Sequence, residues 1–153
     1  MKVGEALSLL KAKRSYLASQ FELLKDQMFY EAGKKPDFSV SEILENIAKT
    51  ESEIRQLKLS IMKTNVEEKL ENGLTLAEAI ISIGDLRSKM AQLEIIRKNP
   101  YKDRLFFRAD DKRIDYIPQI PLQDIEKKIR ELESKKNKLD AELQKANWSI
   151  EII

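Results

Sequence analysis

The 153-residue sequence contains no cysteine and no histidine. Without thiols there are no disulfides, thiolate metal ligands or cysteine nucleophiles, and without imidazole every mechanism that needs a histidine base is excluded. A di-metal carboxylate bundle is undercut too, because such a site normally takes a Glu-x-x-His pair from each of two helices. Glycine and proline are scarce, with four of each, so few positions break a chain rich in Leu, Ile, Lys and Glu, the composition of long helices. Neither sign of charge dominates: 28 basic against 26 acidic residues leave a net charge of +2, too little to select nucleic acid or a membrane as partner. No uncharged apolar run approaches the roughly 18 residues of a membrane span. The first residues place Glu5 and Lys11 around a short apolar run with no small-residue cleavage pattern, unlike a signal peptide, so the expected location is the cytoplasm.

What the sequence does contain is helical periodicity. Val3, Leu7, Leu10, Arg14, Leu17, Phe21, Leu24 and Met28 alternate in steps of four and three, which predicts a helix over about 2–30 with a seam of period 3.5. Arg14 is read as snorkelling from that seam to solvent or to a carboxylate. Gly33 and Pro36 break the chain, after which Ser39 and Glu42 have capping-box spacing and Phe38 can staple over Ile43. Ile43, Ile47, Thr50, Ile54, Leu57, Ile61 and Thr64 then predict a second helix over about 39–71. Asn72-Gly73 reads as a left-handed cap, and Thr75 with Glu78 as a second capping box, so the next helix starts within about three residues and runs antiparallel over about 75–98. Its seam is Leu76, Ala79, Ile83, Leu86, Met90, Leu93 and Arg97, and Asn99-Pro100 ends it. Pro121 suits a helix start, and Leu122, Ile125, Ile129, Leu132, Lys136, Leu139, Leu143 and Ala146 predict a fourth helix over about 121–147. Glu126 with Arg130 and Glu131 with Lys135 have the spacing of pairs along its exposed face.

Residues 101–120 lose the helical spacing, and Ile114 and Tyr116 alternate with Arg113 and Asp115, which predicts a short hairpin or extended arm. Basic residues and aromatics mix in this arm, as in single-strand nucleic-acid binders, but interleaved acids reduce its sum to nearly neutral. The chain ends on Trp148, Ile150 and Ile152, large groups that should dock on the bundle or on a second subunit. With Tyr116 they are the candidate oligomer contacts. The expected fold is therefore a single mainly α domain over 1–153, an antiparallel bundle of about four long helices with coiled-coil-like seams.

Thr64 and Asn65 interrupt the apolar rhythm of the second helix. A seam threonine can return its hydroxyl to its own preceding turn, and an asparagine can fix register. The functional alternative is a polar pocket of Thr64, Asn65 and Asp85.

Glu5 to Leu7 (EAL), the run from Thr64-Asn65 through ENGLTLAEA to Asp85-Leu86, and the closing Ala146 to Trp148 (ANW) share order and spacing with one family. In them the chain resembles small bacterial proteins labelled septicolysin or left uncharacterised. That label would imply a pore-forming cytolysin, and the resemblance carries over no catalytic residue. No catalytic, cofactor or metal site is expected from the residues themselves. They point to a non-enzymatic structural or interaction protein that self-associates, with a nucleic-acid-binding module as the alternative.

Overall fold

The computed structural model describes residues 1–98 and 116–153. Four helices are found among the described residues: α1 (Val3–Gln27), α2 (Val40–Glu67), α3 (Leu76–Arg97) and α4 (Leu122–Asn147). No strand is present among those residues, only two isolated β-bridges, so the fold is mainly α. Of the expected arm, residues 101–115 lie outside the described residues, and Tyr116 to Ile120 form neither helix nor strand. By internal contacts the chain divides into two compact units, one of residues 1–77 with 144–153 and the other of residues 78–143.

In the first unit α1 and α2 pack antiparallel. Ala6 and Leu10, early in α1, share a buried cluster with Ile54, Leu57 and Ile61, late in α2. The late part of α1 in turn lines a cleft with Val40 and Leu44, at the start of α2. The seven seam positions expected in α2 are its seven buried residues. α1 departs from expectation in half of its seam. Val3 and Leu10 are buried and Leu17 and Leu24 half-buried, but the positions between them are Ala6, Lys13, Gln20 and Gln27, each at least half-buried. Leu7, Arg14, Phe21 and Met28, expected there, are exposed. The helix is rotated by one residue at every second contact. Both choices share the same leucines, so the physical difference lies with the partners. Lys13 lays its stem over the interface and donates from Nζ to Glu53 Oε2 of α2 at 2.7 Å.

Helix ends follow the sequence chemistry with small shifts. The Glu5 carboxylate accepts from the Lys2 N–H at 2.8 Å at the start of α1. Ser39 Oγ accepts from the Glu42 N–H at 3.4 Å at the start of α2, one half of the expected capping box. α2 stops at Glu67, short of residue 71, because Glu68 is already extended. The turn that follows is a tight hairpin rather than a helix cap. The Gly73 N–H donates to the Leu70 carbonyl (2.9 Å), the Leu70 N–H to the Leu74 carbonyl (2.8 Å) and the Leu76 N–H to the Glu68 carbonyl (3.1 Å). Gly73 is left-handed, as expected, with φ +88°, and Asn72 Oδ1 accepts from the Leu74 N–H at 3.0 Å. Asn72-Gly73 therefore turns a hairpin and does not cap α2.

In the second unit the expected faces are largely the inner ones, except that Leu122, expected in the seam of α4, is exposed. Ala79 and Ile83 of α3 and Ile125, Ile129 and Leu132 of α4 are buried. The Arg97 guanidinium, at the end of α3, is held by Glu94 (2.8 Å) and by Glu126 of α4 (3.5 Å). The end of α3 thus meets the start of α4. Glu126, expected to serve Arg130 one turn on, reaches across to another helix.

Candidate functional site

The most constructed part of the first unit is the end where both chain termini meet α2. Thr64 is fully buried. Its hydroxyl donates to the Ser60 carbonyl at 2.9 Å, the return to its own preceding turn expected of a seam threonine. It also accepts from the backbone N–H of Ile153 at 2.9 Å. The tail leading to Ile153 runs beside the start of α1. The Val3 N–H donates to the Ile150 carbonyl (3.0 Å) and the Ile152 N–H to the Met1 carbonyl (2.9 Å), with Lys2 and Glu151 forming an antiparallel bridge. Ile152 packs against the cluster of Ala6, Leu10, Ile54, Leu57 and Ile61. The structure thus places Ile150 and Ile152 against their own chain.

Trp148 uses one face of its ring in the same way. A Cβ built on Gly4 would stand 3.0 Å from the indole, so the ring lies directly on the α1 backbone where only glycine leaves room. Its remaining surface is open, with 56% of the residue exposed. Asn65, beside Thr64, is half-buried, and Asp85, on α3, is exposed. Tyr116 is exposed as well. What the sequence did not disclose is the acceptor role of Thr64 toward Ile153. The two are 89 residues apart, and no periodic pattern links them.

Charge at this end is local. Lys145 Nζ meets Glu71 Oε1 at 2.6 Å, and its hydrogen bond holds the Glu71 carboxyl below the ordinary glutamate range. Lys13, again chiefly through its hydrogen bond, does the same to Glu53. A lowered folded pKa means that the stabilisation is present above the ordinary glutamate value and is lost as pH falls through the folded one. Among the described residues no group of three or more acidic side chains is placed to hold a metal ion.

The opposite end of the α1–α2 pair is open. A cleft of about 470 Å³ is lined by Phe21, Leu24, Met28, Phe29, Val40 and Leu44, with Lys25 as the single charged residue. Phe29 is 85% exposed. Phe21 and Met28 stand here because α1 turns a different face inward from the one its apolar pattern favours. Sequence reasoning counted both as core. The signal that could have separated them is the set of polar residues able to cover an interface with their stems, Lys13, Gln20 and Gln27.

Residues 13–152 match a family model described as "Family of unknown function (DUF6847)", and the chain belongs to that family. The match carries no activity and no septicolysin label. Among curated proteins none matches. The chain is similar in structure to a functionally unknown conserved protein from Corynebacterium diphtheriae, known from a crystal structure. The TM-score is 0.82 at 24% identity, covering 100% of this chain and 99% of the other. A likeness at that identity establishes the shared fold. No helix among the described residues is long and apolar enough to cross a membrane.

Proposed function

We propose that this chain is a non-enzymatic structural or interaction protein whose helices associate with further copies of itself. The observation that carries the reading is surplus apolar surface. Besides the seams they bury, three helices expose further large side chains: Leu7, Leu9 and Phe21 on α1, Leu44, Leu59 and Met62 on α2, and Ile80, Ile81, Ile95 and Ile96 on α3. Single exposed apolar residues need no explanation, whereas contiguous apolar area beyond a few hundred Å² marks an interaction surface. The residue inventory supports the non-enzymatic half of the reading. With no histidine or cysteine, the commonest general base and any thiolate nucleophile are missing.

Light scattering across a dilution series tests the assembly. The purified chain should run at a multiple of its 17.8 kDa mass at micromolar concentration and fall toward that mass on dilution. A single species of monomer mass throughout the series removes the reading.

A further inference from the structure

The open end of the α1–α2 pair gathers several exposed apolar side chains and sets a projecting ring beside a cleft. Resting on the self-association proposed above, we infer that this end is a twofold contact in which Phe29 of each copy enters the cleft of the other.

The area argues for a partner of this size. Phe21, Phe29, Tyr30 and Phe38 are each about half exposed or more. At roughly 200 Å² per aromatic side chain they leave about 500 Å² of ring surface open. Met28 and Leu44, also half exposed, enlarge it further. The ring surface alone reaches the upper part of the ~300–600 Å² found for the largest patch on a monomer, and with Met28 and Leu44 the total approaches the ~800 Å² that each partner contributes to a standard interface.

Charge argues for a second copy over a charged partner. The charged groups around the cleft already pair within the chain, Lys25 with Glu22 at 3.7 Å and Lys34 with Glu31. Asp26 and Asp37 outnumber the remaining Lys35 by one. A slightly acidic surface attracts neither a polyanion nor an anionic bilayer. So small a surplus leaves the apolar area free to meet a second copy. In an isologous contact one patch has to supply both projection and hollow, and this patch holds both: Phe29, almost wholly exposed, and the cleft walled by Phe21, Leu24, Val40 and Leu44.

The test compares masses by light scattering for the wild-type chain, Phe29→Glu, Leu44→Glu and, as a control on another exposed apolar site, Ile96→Glu. The inference expects a wild-type dimer, a twofold fall in mass for Phe29→Glu and Leu44→Glu, and an unchanged dimer for Ile96→Glu. Both cleft variants alter exposed positions, so helical circular dichroism and melting should be kept. If one of them nevertheless unfolds, the other decides. A wild-type oligomer that survives both substitutions overturns this inference and leaves self-association standing. So does an oligomer that only Ile96→Glu dissociates. A wild-type monomer overturns both.

Discussion

The two ends of the α1–α2 pair carry similar apolar side chains and handle them in opposite ways. At one end the chain's own tail comes back over the helices: Ile152 packs on the buried cluster of α1 and α2, Trp148 lies on Gly4, and backbone hydrogen bonds to the start of α1 and to the Thr64 hydroxyl fix the segment in place. At the other end Phe21, Met28, Phe29 and Leu44 surround an open cleft. Burial of an apolar side chain gives about 1.5–3 kcal/mol wherever it occurs, so the physical demand is the same at both ends. The covered end meets it within one chain. The open end leaves it unmet within the chain, and it is there that the proposed second copy would bind.

The largest test of this contrast removes the cover. Deleting Trp148 to Ile153 uncovers part of the cluster on which Ile152 packs, leaves the Val3 N–H without its partner and strips Thr64 of its donor. Burial of Ile152 and the lost hydrogen bonds together predict a destabilisation of about 3 kcal/mol, read as a fall in urea midpoint at unchanged oligomer mass. Equal midpoints for the truncated and full chains would show that the tail is a free end. Loss of the oligomer on truncation would instead put the contact between copies at the wrong end.

How much of this was legible in the sequence depends on how local the cause is. α2 could be read residue for residue, since Ile43 to Thr64 offers one apolar face and no competing one. α1 offers two faces that share Val3, Leu10, Leu17 and Leu24. Hydrophobicity alone chooses the wrong one, because Leu7, Phe21 and Met28 outweigh Ala6, Lys13, Gln20 and Gln27. The choice is made by what faces them: Glu53 reaches Lys13, and the small Ala6 admits the α2 side chains closely. The same error hid the cleft, as its wall is made of residues assigned to the core. The docking of the tail was legible as an apolar cluster with nowhere to go, but its address was not. The hydrogen bonds that tie Ile150 and Ile152 to Val3 and Met1 leave no mark in composition or period. The hairpin at Leu70 to Leu74 was half legible, in that Gly73 announces a left-handed residue but not which element it closes.

A smaller effect isolates the hydroxyl at the covered end. Thr64→Val keeps the shape of the side chain and removes the acceptor for the Ile153 N–H. A part-buried donor left unpaired costs about 1–2 kcal/mol. The lost donation to the Ser60 carbonyl should cost little, since such back-bonding slightly disfavours a helix. The cost should therefore disappear in the chain truncated before Trp148, where there is no Ile153 to satisfy. Additive effects of the substitution and the truncation would refute the coupling. A rise in stability for Thr64→Val in the intact chain would show that the hydroxyl is kept for something other than the tail.

The finest distinction concerns glycine. Gly84 lies in α3 with nothing within 4 Å of where a Cβ would stand, and a helical glycine is worse than alanine by about 0.5–1 kcal/mol. Gly84→Ala should therefore stabilise the protein by about that amount. Gly4 is also helical, so Gly4→Ala begins with the same gain, but its methyl group would press on the Trp148 indole at 3.0 Å. To make room, the ring must lift from the α1 backbone and give up part of its contact, an overpacking cost of about 1 kcal/mol or more. The two alanines should thus differ by about 1 kcal/mol in chemical denaturation, with Gly4→Ala neutral or destabilising. In a Trp148→Ala background nothing presses on the new methyl group, and Gly4→Ala should recover the full gain seen at Gly84. If Gly4→Ala stabilises as much with the indole present as without it, the ring does not rest on the helix and the cover at this end is looser than the geometry has it. If the gain returns only when the ring is removed, the glycine is retained to seat Trp148, and the covered end is built by side-chain fit as well as by backbone hydrogen bonds.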